Sequence, residues 1–434
     1  MNENSLIAKK RVAIVTNNLH CERNMQYFAT LEYYFRVNGW VAAEDFNVNL
    51  VVICGCGFHD SMYEKAMKVI EDLRKIHFLE KNVVIMGCLP KTHEQELLKN
   101  RGSTVIEIQK EEALDEIIGA LIPFREISPV NLFKPHKKCR EYIKENEFFY
   151  IKIAQGCLKR CSYCVIKKAK GYLTSVPLDQ IENQFRRAIG SGYRKIFLMG
   201  EDTFAYGIDI GTTIIDLLDY LLKIDPEIEL KIGYLHNLWL TKYSHEILSL
   251  CRRGVLNELH IGLQHTNESL LEKMGRPVNF SILYNTICRI KQERPDFYFI
   301  TDIIVGFPGE TEEMFDELIE FFKNDRCFDK ICHFAYSDVK GASSCDFDNK
   351  VPPEVKALRW EKLEQTLGSR SISRQPENPK RLDDVTYKVA LLDNYVFCTD
   401  MIKDEIIENE TATSQNLEAA TADILKENQE DFKF

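Results

Sequence analysis

The chain has 434 residues, 45% of them hydrophobic and 28% charged, with a formal net charge of −10. That length exceeds the roughly 250–300 residues at which a single core stops growing, so two or more domains are expected, and no apolar run reaches the ~18–20 residues a membrane-spanning helix needs. The charge is uneven: residues 401–434 hold nine Asp or Glu against three Lys, so the remainder is close to neutral.

The N-terminal run MNENSLIAKKRVAIVT has no signal-peptide h-region or small-residue cleavage site. Fourteen cysteines behind such a start point to a reducing, cytoplasmic setting and to metal ligation over disulfides. In the first hundred residues, Val12–Val15, Leu50–Ile53 and Val83–Met86 read as buried parallel strands, and Arg23–Val37 and Ser61–Phe78 as helices. From Val105 to Asn146 that rhythm is lost, and Pro123, Pro129 and Pro135 mark a connection. A second series follows, with strands expected at Phe149–Ile153, Lys195–Met199, Leu230–Tyr234, Leu259–Leu263, Tyr298–Val305 and Ile331–Ala335. Six β/α units imply a partial barrel whose site lies at the strand C-termini. Glu354–Leu367 reads as a helix, and beyond a polar break only Val385–Phe397 looks structured.

The expected fold class is therefore α/β. Residues 1–105 form an N-terminal parallel-sheet domain, 106–146 a linker, 147–367 a partial (β/α)6 barrel, 368–402 a short C-terminal segment and 403–434 an acidic tail expected to be disordered.

Two sets of three cysteines stand out. Cys157, Cys161 and Cys164 form a CxxxCxxC run after the first barrel strand, enough to hold three irons of a cubane while the fourth stays open to a sulfonium cofactor. Zinc is the competing reading, but structural zinc sites usually pair CxxC halves across a longer gap. Cys21, Cys56 and Cys88 each lie just past a strand of the first domain, and loops at neighbouring strand C-termini converge. The bland alternative is that these three are core fillers, since cysteine is among the most buried residue types.

The surrounding residues resemble the radical S-adenosylmethionine methylthiotransferases. The likeness rests on the CxxxCxxC loop, on Cys21-Glu22-Arg23-Asn24, Cys56-Gly57-Phe58 and Gly87-Cys88-Leu89, on Glu201 to Gly207, and on Thr301 to Thr311. It implies an enzyme with two 4Fe–4S clusters that uses S-adenosylmethionine, an external electron donor and a sulfur source. Cys157, Cys161 and Cys164 would hold the cluster that generates the radical. Cys21, Cys56 and Cys88 would hold an auxiliary one where sulfur is methylated. It also implies cofactor contacts at Tyr163 (adenine), Gly200 and Glu201 (methionyl amino group), Gln264 (ribose or carboxylate) and Gly306 (adenine, through backbone). No catalytic acid or base is indicated.

Three departures bear on the acceptor. The family's QSGS-like turn is Gln264-His265-Thr266-Asn267, its Arg-Gly after the cluster loop is Lys170-Gly171, and its small terminal β domain does not fit after Arg381. Lys159, Arg160, Lys167, Lys168 and Lys170 could meet phosphates or an acidic peptide, or form a solvated rim. An acidic end would repel RNA, so a protein or peptide side chain with an unactivated C–H bond is favoured over transfer-RNA adenosine. A radical peptide-modifying enzyme without methyl transfer is a further alternative.

Overall fold

A computed structural model of the chain describes residues 10–16, 21–43, 46–57, 63–64, 66–68, 70–71, 82–99, 103–127, 148–373 and 396–397. The acidic tail and most of Val385–Phe397 lie outside the described residues.

The first sheet contains β1 (Arg11–Thr16), the short β2 (Val41–Ala42), β3 (Leu50–Gly55), β4 (Val83–Gly87) and β5 (Thr104–Val105). All are parallel, in the order β1-β3-β4-β5, with β2 beside β1. Every residue of β3 is buried, which is why it reads as an unbroken apolar run: both faces are covered. Val12, Ile14, Val52, Val84 and Met86 pack on Phe28, Leu31, Tyr34 and Phe35 of helix Glu22–Val37. Their neighbours Ala13, Val15, Val51, Ile53 and Ile85 pack on Ala66, Ile70, Leu89 and Leu97.

Residues 106–127, within the stretch read as a connection, extend this core. Leu114 and Ile118 of helix Ala113–Ile118 join the Phe28–Tyr34 face. Tyr34 Oη donates to Asp115 Oδ1 at 2.7 Å, and Asn38 Oδ1 accepts from the Leu121 and Ile122 amides at 2.7 and 2.9 Å. A six-residue helix has too few turns for its periodicity to show.

The second sheet starts with β6 (Phe149–Lys152). Next come β7 (Ala154–Gln155) and β8 (Thr174–Ser175), an antiparallel pair at the base of the loop carrying Cys157, Cys161 and Cys164. Then follow β9 (Lys195–Met199), β10 (Glu229–His236), β11 (Glu258–Gln264), β12 (Tyr298–Val305), β13 (Lys330–Ala335) and β14 (Ser371–Ser373). The order is β6-β9-β10-β11-β12-β13-β14, all parallel. The six expected strands are present, and β14 is a seventh at the edge, too short and polar to stand out in the sequence.

Leu230, Ile232, Leu259, Ile261, Phe299, Ile303 and Ile331 point outward into a core with Leu217, Ile247, Leu283, Phe315 and Leu363 from the surrounding helices. Their alternates, among them Lys231, His260, Asp302 and Cys332, therefore face the barrel interior. Helix Glu22–Val37 serves both sheets: Tyr150, Phe197 and Met199 join its core, and Gln26 Nε2 donates to Tyr150 O at 3.3 Å. The pair β15 (Val396–Phe397) lies antiparallel to β1, so the chain returns to the first sheet. Among the described residues, no helix is long and apolar enough to cross a membrane.

Candidate functional site

Cys157, Cys161 and Cys164 sit on one turn-rich loop at the C-terminal end of the barrel. Gly156 starts the loop at φ +78°, and a Cβ there would meet Tyr172 O at 2.2 Å, so only glycine fits. The loop aims donors at its own sulfurs: the Lys159 amide at Cys157 Sγ and the Ile166 amide at Cys164 Sγ, each at 3.4 Å. Arg276 Nη1 reaches Cys161 Sγ at 3.4 Å. Burial pushes the Cys157 and Cys164 thiols up to about 11 and about 12, so thiolates here need a cation beside them, a role iron would fill. N–H donors on the sulfurs suit a cluster.

Cys21 caps the start of helix Glu22–Val37, while Cys56 and Cys88 follow β3 and β4, whose last residues, Gly55 and Gly87, are paired in register. Cys56 and Cys88 thus stand just past two adjacent parallel strands, and Cys21 opens the helix that follows the third, β1. Burial also raises the Cys88 thiol, with Lys170 pulling it down and Cys21 pushing it up. Cys54, one strand residue before Gly55, is fully buried in the core, where burial holds its thiol well above the ordinary value. No described cysteine is disulfide-bonded.

The two sets open toward each other. Arg23, two residues past Cys21, donates through Nη1 to Gly200 O at 2.7 Å, and its Nε lies 3.5 Å from Glu201 Oε1. Lys170, at the end of helix Ile166–Lys170, faces the first sheet from the other side. Burial pulls its ammonium down, but Cys88, Glu201 and Cys21 outweigh that and hold it above its ordinary value.

The expected cofactor contacts fall in this region with mixed outcomes. Glu201 lies two residues past β9, but its Oε2 accepts the Gly156 amide at 2.8 Å and its other oxygen faces Arg23, so protein partners already engage the carboxylate. Gln264 closes β11 at φ +75°, a strained conformation for a side-chain-bearing residue, and folds back over Gly262. Tyr163 packs with Ile304 and Phe307, which flank Gly306, so the two adenine candidates share one apolar patch. The Gly306 amide donates to Glu310 Oε2.

Of the five cations, Lys159 lies 4.2 Å from the Trp239 ring, Lys167 lies 4.1 Å from the Tyr172 ring, and Lys170 is turned inward. Arg160 and Lys168 are the exposed ones, so the group is no continuous rim.

Sequence reasoning missed a polar cradle next to the loop. Asp202 Oδ2, His236 Nε2, Asn237 Nδ2 and Arg276 Nε are buried without a hydrogen-bond partner. Asp202 Oδ1 accepts from Trp239 Nε1 at 2.8 Å, and burial pushes its carboxyl up to about 6 against the pull of Lys159. His236 Nδ1 accepts the Leu238 amide at 3.2 Å, which leaves Nε2 as the N–H donor. Burial, with Arg276 and Lys159, drops that imidazole to about 2, so it is neutral. Each orphaned group costs about 1–3 kcal/mol. One acidic acceptor among three donors suits a zwitterion, with an ammonium on Asp202 and a carboxylate or hydroxyls on the donors. The only sequence hint was the carboxylate next to Glu201.

A parallel β/α barrel with a CxxxCxxC loop at its C-terminal mouth defines the radical S-adenosylmethionine class, and residues 151–322 match the Radical SAM superfamily. Residues 12–107 match the family described as Uncharacterized protein family UPF0004. Ribosomal protein uS12 methylthiotransferase RimO of Legionella pneumophila (strain Lens) is 30% identical over 343 residues, 74% of each chain. RimO of Carboxydothermus hydrogenoformans is 31% identical over 324 residues, 73% of each, and that of Proteus mirabilis 26% over 398, 86% of each. The chain belongs to the radical S-adenosylmethionine methylthiotransferases and is an enzyme that transfers methylthio groups. The radical S-adenosylmethionine methyltransferase TsrM of Kitasatospora setae, solved with tryptophan and a cofactor analogue, shares the fold. Its TM-score is 0.52 at 15% identity, over 77% of this chain and 75% of that one.

Proposed function

We propose that the enzyme places a CH₃S group at an unactivated C–H bond of a protein or peptide side chain, using two 4Fe–4S clusters. Residues 147–367 would hold the radical-generating cluster on Cys157, Cys161 and Cys164, and residues 1–105 the auxiliary one on Cys21, Cys56 and Cys88. When bound, these groups supply a carbon-centred radical from S-adenosylmethionine and an iron on which sulfur can be methylated.

The chain's own residues divide the rest of the work. Asp202 would take the methionyl ammonium, with His236, Asn237 and Arg276 donating to the carboxylate or ribose. Tyr163 and the backbone beside Gly306 would hold the adenine, and Gln264 would close the cradle from β11. Arg23, Glu201 and Lys170 would fix the two cysteine sets face to face and keep the space between them charged and ordered.

The observation that carries this reading is the bridge from Arg23 to Gly200 and Glu201, because it sets the Cys21 helix against the mouth of the cluster-loop barrel. The relatives named as methylthiotransferases of ribosomal protein uS12 favour a protein acceptor over transfer RNA. Mass spectrometry of proteins, peptides and RNA from cells with and without the gene tests it. A CH₂S gain on a polypeptide that depends on the gene supports the reading, and the same gain on transfer-RNA adenosine alone overturns the acceptor assignment.

A further inference from the structure

Helix Phe280–Glu293 carries Tyr284 and Cys288 four residues apart, on one face, against the turn that joins helix Glu312–Asn324 to β13. Across that contact Cys288 Sγ and Cys327 Sγ lie 2.7 Å apart, although 39 positions separate them in the chain. Asp325 fixes the turn. Its Oδ1 accepts the Tyr284 hydroxyl at 2.7 Å and the Cys327 amide at 3.0 Å, and its Oδ2 accepts Arg370 Nη1 at 2.8 Å. The helix face and the turn are thus held together by bonds other than the sulfur contact. Cys327 is 7% exposed, whereas Cys288 is half-buried. The pair sits where β13 begins, at the end of the barrel opposite the cluster loop.

We propose that Cys288 and Cys327 form a reversible dithiol–disulfide pair, separate from both three-cysteine sets, that small-molecule disulfides oxidise. A protein disulfide requires its two cysteines to be brought together with little backbone movement, and this pair needs only a small further approach to reach a bond of ~2.05 Å. The more exposed Cys288 thiolate attacks one sulfur of the small disulfide, whose S–S bond breaks to release one thiol. Cys327 then loses its proton and attacks the Cys288 sulfur, displacing the second thiol. The two protein thiols give up two electrons, the small disulfide takes them, and the two protons end on the two released thiols. The new bond ties helix Phe280–Glu293 to the turn entering β13, and a cross-link over so long a stretch restricts the unfolded chain. It lies away from the cluster loop, so it stabilises the barrel wall and leaves the radical step alone.

To test this, the full-length enzyme is reconstituted anaerobically, freed of reductant, its iron counted, and exposed to cystamine without oxygen. Alkylation under denaturing conditions and non-reducing peptide mapping should find Cys288 linked to Cys327, with iron content and 5′-deoxyadenosine formation unchanged. The melting temperature should rise by several degrees and return on treatment with dithiothreitol. Cys327→Ser should stop at a cysteamine adduct on Cys288, and Cys288→Ser should show neither linkage nor a shift in melting; retained iron in each variant reports that it folds. Both cysteines alkylated as free thiols in cystamine-treated wild type, linkage of either one to another cysteine, or the same melting response in Cys288→Ser would overturn the pair.

Discussion

The two cysteine sets reach the same donor chemistry by opposite routes. Cys157, Cys161 and Cys164 occupy one loop that carries its own amide donors to two of the sulfurs. Cys21, Cys56 and Cys88 lie on strand ends far apart in the chain and meet only if β1, β3 and β4 pair in register. The first set should therefore survive damage to the first sheet, while the second should track that sheet's stability.

The sharpest break of this comparison lies at Gly156. Gly156→Ala drives a Cβ into the Tyr172 carbonyl at a positive φ, so the cluster loop cannot close. Cleavage of S-adenosylmethionine to 5′-deoxyadenosine should fall by at least about a hundredfold, roughly 2.7 kcal/mol or more in the barrier, while iron on the first sheet persists. The mirror experiment is Ile53→Ala, which empties a fully buried position of β3. A core deletion of this size costs about 2–5 kcal/mol. Iron analysis and a thermal melt should show loss of the auxiliary half of the iron with cleavage retained.

Asp202 sharpens the comparison from the cofactor side. Its carboxyl is raised to about 6 mainly by burial, so the form that attracts an ammonium is present above that pH and lost as pH falls through it. Affinity for S-adenosylmethionine, measured by titration, should weaken up to about tenfold per unit below pH ~6. Asp202→Asn should bind weakly at every pH and flatten the profile. The smallest effect is expected for Arg276→Lys, which removes the guanidinium contact to Cys161 Sγ. Lysine keeps the charge but not the N–H contact to the sulfur, and losing a hydrogen bond to a cluster sulfur favours the oxidised state, so potentiometry should read a more negative potential.

What the sequence revealed follows from range. The barrel strands were legible because each is a contiguous apolar run between amphipathic helices, and the CxxxCxxC loop because its three cysteines fall within eight residues. Cys21, Cys56 and Cys88 could be grouped only by reasoning that parallel strand ends converge. The cradle of Asp202, His236, Asn237 and Arg276 left only the carboxylate beside Glu201 as a hint, since its members come from three separate segments around the barrel mouth. The pairing of Val396–Phe397 with β1 was equally hidden, because a two-residue strand has no periodicity. Glu201 shows a different limit: its position was legible, but its engagement with Gly156 and Arg23 depended on residues 45 and 178 positions away.

The division of labour between the two sets is tested most directly by one protein, the variant with Cys21, Cys56 and Cys88 all changed to Ala, assayed anaerobically after iron reconstitution. It should hold about half the wild-type iron, still form 5′-deoxyadenosine under reduction, and yield neither S-adenosylhomocysteine nor methylthiolated product. Full iron content, or loss of 5′-deoxyadenosine in a variant that keeps half its iron, would contradict the account.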